Sequence, residues 1–195
     1  MPAIRRRTAA LLLLAGCGPL STPPPGGWAS LPPDAVLGAG DPTIAAILNA
    51  AAVFGNPKSV AGNPVGAARA VAQYEYLATE IPTGPRWQTF PPIVSVQLAQ
   101  GRVALRQTLG IAPDAPTQGV IDSMYAAGRA LVMGDRAAAV HILSAPFYQP
   151  GGEALLAKLA ALPLIPQVNI ATTQAEAAYL RMMRDGYSRP GGVRN

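Results

Sequence analysis

The chain has one cysteine, Cys17, and one histidine, His141, among its 195 residues. One histidine excludes metal sites that use two or more imidazole ligands. Without a second cysteine the chain cannot form an internal disulfide. Charged residues make up only 13% of the chain, against about 25% in typical globular proteins. The sequence therefore predicts no metal centre, no other cofactor and, in the absence of a basic run beyond the N-terminus, no nucleic-acid partner.

The N-terminus also lacks an apolar run long enough to remain in a membrane. A spanning helix needs about 20 apolar residues, whereas the apolar stretch at residues 8–14 is soon broken by Gly16, Gly18 and Pro19. Three arginines at residues 5–7 precede this stretch. A basic segment followed by a short apolar one is the layout of a secretory signal peptide.

The motif Leu14-Ala15-Gly16-Cys17 follows directly and resembles the lipobox of bacterial lipoprotein precursors. The resemblance implies a diacylglycerol on Cys17, cleavage of the bond before it, and acylation of the new N-terminus by a fatty acid such as palmitate. More than one acyl chain gives stable anchoring. Because Gly18 is not an aspartate, the resemblance implies a protein on the periplasmic side of the outer membrane. It covers only the first eighteen residues and identifies no family for the rest of the chain.

Proline and glycine divide the chain into four parts. We predict a signal peptide at residues 1–16, a lipidated cysteine with a flexible Pro/Gly-rich tether at 17–40, a helical domain at 41–186 and a disordered tail at 187–195. The signal peptide holds three arginines and no acid, so the remaining 12 Lys/Arg and 10 Asp/Glu give a net charge of +2. The basic character of the whole chain comes largely from the signal.

The apolar residues of the domain recur at helical spacing, and none alternate with the period of two that marks a strand. The predicted fold class is all-α: a compact bundle of about six or seven short helices arranged as antiparallel hairpins. An alternative comes from one segment that is similar to a tetratricopeptide unit, with Gly128, Leu131, Gly134-Asp135 and Ala138 or Ala139. That segment departs from the family pattern by one residue and has no second copy at a 34-residue period.

Capping residues and prolines predict the helix boundaries. Helices are expected to start at Asp41-Pro42 and Asn63-Pro64 and to end near Phe54 and Ile81. The later helices are predicted as follows: Val94 to Leu109 with an interruption at Gly101, Val120 to Gly134, a short helix capped by Asp135, Leu155 to Leu162, and Thr173 to Gly186. Thr173 and Glu176 have the spacing of a capping box.

The candidate ligand or partner surface combines aromatic and charged side chains: Tyr74, Glu75, Arg86 and Trp87. Aromatic faces stack on a sugar or peptide, and the charged groups orient it. Glycan cleavage would also require a second carboxyl group about 5 to 9.5 Å away, for which Glu153 is the best candidate. The competing interpretation is that the aromatic residues of this region fill the core beneath a loop: Tyr76, Trp87 and Phe90.

A catalytic triad has only one candidate base, His141, with Ser144 three residues away and Asp135 at the start of the same helix. No Gly-x-Ser-x-Gly motif accompanies them, so a structural histidine is the favoured interpretation. The sequence therefore favours a non-enzymatic role over an enzymatic one.

Two functions stay open. The first is a membrane-anchored envelope lipoprotein whose helical interaction or scaffold domain binds another envelope component, expected to be a protein. The second is a peptidoglycan-associated binder or hydrolase that uses a groove formed by Glu75 and its aromatic neighbours.

Overall fold

The computed structural model of the protein describes residues 28–36 and 40–187. These residues form seven α-helices and no strand apart from an isolated bridge between Ile111 and Tyr148. The helices are α1 Pro42–Gly55, α2 Pro64–Thr83, α3 Pro92–Leu109, α4 Thr117–Val132, α5 Arg136–Ile142, α6 Gly152–Ala160 and α7 Pro166–Tyr187. The predicted all-α bundle is confirmed. The predicted signal peptide, Cys17 and residues 188–195 lie outside the described residues.

The first two helices start where the sequence predicts. The Asp41 carboxylate accepts hydrogen bonds from the backbone amides of Thr43 at 2.9 Å and Ile44 at 3.0 Å. The Asn63 side chain accepts one from the amide of Gly66 at 3.0 Å. A proline follows each capping residue at the first helical position. A backbone amide there has no partner within the helix, so proline, which lacks the amide hydrogen, loses no hydrogen bond.

Helix α2 is the central element of the bundle. It contacts α1, α3, α4 and α6, and its most extensive contact is with α4. Residues 70–79 are all buried, which is the pattern of a helix surrounded by others. Four small residues let the neighbouring helices approach closely: Ala67, Ala68, Ala70 and Ala72. The central position of α2 buries three of its polar side chains: Gln73, Glu75 and Thr79.

Two predicted helix breaks are wrong. Helix α3 continues through Gly101, because the missing side chain makes room for the Tyr74 hydroxyl group, which a Cβ atom at that position would overlap. That hydroxyl donates to the Leu98 carbonyl at 3.1 Å. Helix α2 continues through Pro82 to Thr83, because a proline in the last turn removes only one intrahelical hydrogen bond.

The predicted start of α7 is also wrong. The helix begins at Pro166, and the Ile165 carbonyl accepts hydrogen bonds from the amides of Val168 and Asn169, both at 3.0 Å. Thr173 therefore lies inside the helix, where its hydroxyl donates to the Asn169 side chain at 3.3 Å. Threonine and glutamate at capping-box spacing also occur within helices, and here the proline fixes the N-terminus.

The hairpin predicted across Gly134 and Asp135 is present. Gly134 has a φ of 79°, and the Asp135 amide donates to the Ala130 carbonyl at 2.9 Å, which closes the end of α4. The Asp135 side chain then caps α5 by accepting from the Ala138 amide at 2.8 Å. Helices that are distant in sequence pack as well, with α7 against both α1 and α3.

Residues 28–36, called the strap below, lie against α4. The Ser30 amide donates to the Gln118 side chain at 2.8 Å, and that side chain donates back to the Ser30 carbonyl at 3.1 Å. Asp34 pairs with Arg129 at 3.1 Å, and Ala35 is buried. This part of the predicted tether is therefore packed on the domain. Within the described residues, no helix is both long and apolar enough to span a membrane.

Candidate functional site

Glu75 forms a buried ion pair with Arg106. The side chains are 0% and 7% exposed, and the two hydrogen bonds between them measure 2.7 and 2.8 Å. The guanidinium also donates to the carbonyls of Pro113 at 2.8 Å and Ala115 at 3.0 Å. The pair thus connects α2 to α3 and to the loop before α4. With its carboxylate oxygens occupied in a closed core, Glu75 has no access to a ligand in this arrangement.

Tyr74 is buried beside Glu75. Its ring packs edge-on against Phe54, with 5.6 Å between the ring centroids. Burial raises the pKa of the phenol above its ordinary value, and the neighbouring carboxylate adds to the rise. Tyr74 therefore acts as a neutral structural hydrogen-bond donor within the bundle.

Arg86 and Trp87 lie in the turn after α2. Trp87 is 2% exposed and donates to Glu80 at 3.1 Å. The Arg86 guanidinium lies over the indole ring, 4.6 Å from its centroid, and pairs with Asp41. Partial burial opposes ionisation of Asp41, but hydrogen bonds from Arg86 and two backbone amides hold its pKa below the usual range. Arg86 is the only one of the four predicted site residues that is exposed.

The four residues therefore do not form one exposed surface. The competing interpretation of the aromatic residues is confirmed, because three of them belong to the core: Tyr76, Trp87 and Phe90.

Two of the three residues considered for a catalytic triad bond to the backbone, and the third is exposed. The Ser144 hydroxyl donates to the Val140 carbonyl at 2.8 Å and accepts from the Gly152 amide at 3.2 Å. Asp135 caps α5, and His141 is exposed. Neither of these polar groups is hydrogen-bonded to the imidazole.

Glu153 forms an exposed ion pair with Arg136 at 2.6 Å, with both side chains more than 60% exposed. Across residues 28–36 and 40–187, no three His, Cys, Asp or Glu residues are grouped as a metal site would require. Four acidic residues each pair with one arginine, and two act as helix caps: Asp34, Asp41, Glu75 and Glu153 in the pairs, and Asp41 and Asp135 as caps.

The candidate site that emerges from the structure is a pocket between α2, α4 and the strap, which we call the α2/α4 pocket. Its volume is about 220 Å³. The lining is mostly apolar: Val65, Met124, Gly128, Val132 and Met133. Val132 and Met133 are 74% and 85% exposed and form its outer edge.

Three charged residues also line the α2/α4 pocket. Arg129 is paired with Asp34 of the strap, and both side chains are about half exposed. Arg69, on α2, has no ion-pair partner among the residues that the structure describes. The pocket lining therefore carries one positive charge that is not paired with any carboxylate of residues 28–36 and 40–187.

Tyr125 contributes a buried hydroxyl group to this pocket. The residue is 6% exposed, and its hydroxyl has no hydrogen-bond partner of good geometry in the described part of the chain. Burial raises the pKa of the phenol, the charge of Asp34 raises it further, and the charges of Arg69 and Arg129 lower it. The Gln73 side chain also lowers it, because it lies close to the hydroxyl as a hydrogen-bonding neighbour, although the geometry is poor. The hydroxyl is thus a neutral donor within electrostatic reach of the charged residues that line the pocket.

Gly128 keeps the α2/α4 pocket open without being required by the backbone. Its φ is not positive, and a Cβ atom there would meet Val65 at 3.7 Å, an ordinary van der Waals contact. Glycine inside a helix costs about 1 kcal/mol relative to alanine. The missing methyl group leaves space in the pocket wall rather than relieving a clash.

No family model, curated protein or solved structure matches this chain. Their spacing in the sequence places the α4 residues that line the pocket on one face of the helix: Met124, Tyr125, Gly128, Arg129 and Val132. The facing residues Val65 and Arg69 could not be placed in this way, since nothing local pairs α2 with α4.

Proposed function

We propose that this protein is a lipid-anchored envelope lipoprotein whose helical domain is a non-enzymatic binding module, with the α2/α4 pocket as its binding site. One observation carries the binding role: the buried Tyr125 hydroxyl at an apolar pocket, which has no hydrogen-bond partner of good geometry among the described residues. Buried polar groups are normally hydrogen-bonded, so this hydroxyl favours a site that a ligand completes. Among the candidate catalytic groups, Glu75 and Glu153 are engaged in ion pairs, and Asp135 and Ser144 are bonded to the backbone.

The proposed anchor rests on the Leu14-Ala15-Gly16-Cys17 motif. Ten residues separate Cys17 from Trp28, the first residue of the strap. Ten extended residues reach at most about 35 Å. A domain anchored in this way would present the α2/α4 pocket close to the membrane surface, where an envelope component is within reach.

Cell fractionation tests the anchor. Wild-type protein should sediment with membranes and incorporate labelled palmitate, whereas Cys17→Ala should do neither. A matched change in the predicted tether, Ser21→Ala, should behave like wild type. Wild-type protein that takes up no label would refute the anchor.

Photo-crosslinking in intact cells tests the binding role. A benzophenone side chain replaces Met133 at the pocket edge or, as a control, Ile93 on α3, which is also exposed. We expect a discrete adduct from position 133 that disappears when Gly128→Leu fills the pocket, and no such adduct from position 93. An adduct unaffected by Gly128→Leu, or no adduct at all, would contradict the pocket as the binding site.

A further inference from the structure

We propose that the α2/α4 pocket binds a small amphipathic carboxylate, with its apolar body inside the pocket and its carboxylate facing Tyr125 and Arg69. This inference rests on the proposed binding role and adds the chemical class of the ligand.

The volume sets the size of the apolar body. A cavity of about 150 Å³ holds benzene, with its six heavy atoms. At the same packing, the 220 Å³ of this pocket admits roughly nine heavy atoms. An eight-carbon chain such as that of octanoate meets this limit, and most of the pocket wall is apolar.

Charge and hydrogen bonding select the head group. The pair between Arg129 and Asp34 cancels its own charge, so the charge of Arg69 is the one left over. The Tyr125 phenol is neutral, since its ordinary pKa is 10.0 and burial raises it, and it therefore has a hydrogen to donate. A carboxylate accepts from both a hydroxyl and a guanidinium, and such charge-assisted hydrogen bonds are stronger than neutral ones. A cationic amphiphile of the same length would be repelled by Arg69.

Gly128 allows an independent test of the pocket. A neighbouring glycine of α4, Gly119, has equal room for a Cβ atom, 3.7 Å from Phe147, but does not line the pocket. The two glycines thus form a matched pair for testing whether open space at Gly128 serves a ligand.

Calorimetric titration of the full chain carrying Cys17→Ser avoids competition from attached lipid or detergent. We expect saturable one-to-one binding of octanoate. Octyltrimethylammonium and acetate should each bind at least roughly tenfold more weakly, since the first has the wrong charge and the second lacks the apolar body. Absence of octanoate binding, or equal binding of the cation, would overturn the proposal.

Substitutions then locate the site. Tyr125→Phe and Arg69→Gln should each weaken octanoate binding by roughly five- to tenfold, and Gly128→Leu should abolish it. Gly119→Ala should leave affinity unchanged, while Gly128→Ala should weaken it without lowering the unfolding temperature. Gly128→Ala also serves where the leucine variant fails to fold.

Unchanged octanoate affinity in a folded Gly128→Leu variant would refute the site. The titration does not depend on the anchor. A failure here combined with a pocket-dependent crosslink in cells would overturn the ligand class and leave the binding role standing.

Discussion

Removing one partner of the buried Glu75–Arg106 pair should destabilise the domain severely. Glu75 is fully buried and Arg106 nearly so, with two hydrogen bonds of 2.7 and 2.8 Å between them. Breaking such a pair from one side leaves an uncompensated buried charge and costs about 3–5 kcal/mol. Glu75→Leu should lie at the lower end, because the carbonyls of Pro113 and Ala115 still accept from Arg106. Arg106→Met should lie at the upper end, because within the described residues only Arg106 donates side-chain hydrogen bonds to the Glu75 carboxylate.

Urea unfolding followed by far-UV circular dichroism gives the free energies for a double-mutant cycle. The double variant Glu75→Leu/Arg106→Met replaces both charges with apolar groups, so it should recover most of the stability lost in the single variants. The exposed pair of Glu153 with Arg136, at 2.6 Å, provides the control. Glu153→Gln should change the free energy of unfolding by less than about 1 kcal/mol, because solvent screens the pair.

A result in which Glu75→Leu costs no more than Glu153→Gln would refute the structural role of the pair. Strict additivity of the two single variants would refute it as well. In either case Glu75 would again be available for a functional role.

Two further predictions concern local packing and pH. Gly101→Ala should lower the free energy of unfolding by about 1–3 kcal/mol, because the new methyl group overlaps the Tyr74 hydroxyl. Thermal unfolding of the variant and the wild type measures this difference. The folded-state pKa of Asp41 lies below its ordinary value of 3.8, so its contribution to stability is present above that value and is lost as the pH falls through the folded pKa. Asp41→Asn should therefore lose less stability than wild type on acidification from pH 6 to pH 2.

Each of these predictions has a clear contrary result. A Gly101→Ala variant as stable as wild type would show that α3 and Tyr74 separate easily. Equal acid sensitivity of wild type and Asp41→Asn would show that the ion pair with Arg86 adds no pH-dependent stability.

Local signals in the sequence were sufficient for most helix boundaries. Asp41-Pro42 and Asn63-Pro64 combine a capping side chain with proline, and both act within four residues. Thr173 failed as a start signal because its hydroxyl is equally satisfied within a helix, by the side chain of Asn169. Gly101 failed as a break because its role depends on Tyr74, which approaches from another helix.

The site depended on contacts that the sequence does not encode locally. The burial of Glu75 follows from Arg106, 31 residues away. The α2/α4 pocket requires Val65 to face Gly128 across two helices. Because Glu75 pairs with Arg106, the candidate catalytic carboxylate belongs to a core ion pair. Because Val65 faces Gly128, a pocket lies between residues whose types alone indicate an ordinary helix surface.

The most direct test of ligand binding at the α2/α4 pocket is a nitrogen–proton correlation spectrum recorded during octanoate titration of the full chain carrying Cys17→Ser. We expect the backbone amides of Arg69, Tyr125 and Gly128 to shift progressively, while the Trp87 indole and the Gly119 amide stay in place. Shifts centred on the Trp87 indole, or none at Tyr125 and Gly128, would contradict a binding function at the α2/α4 pocket.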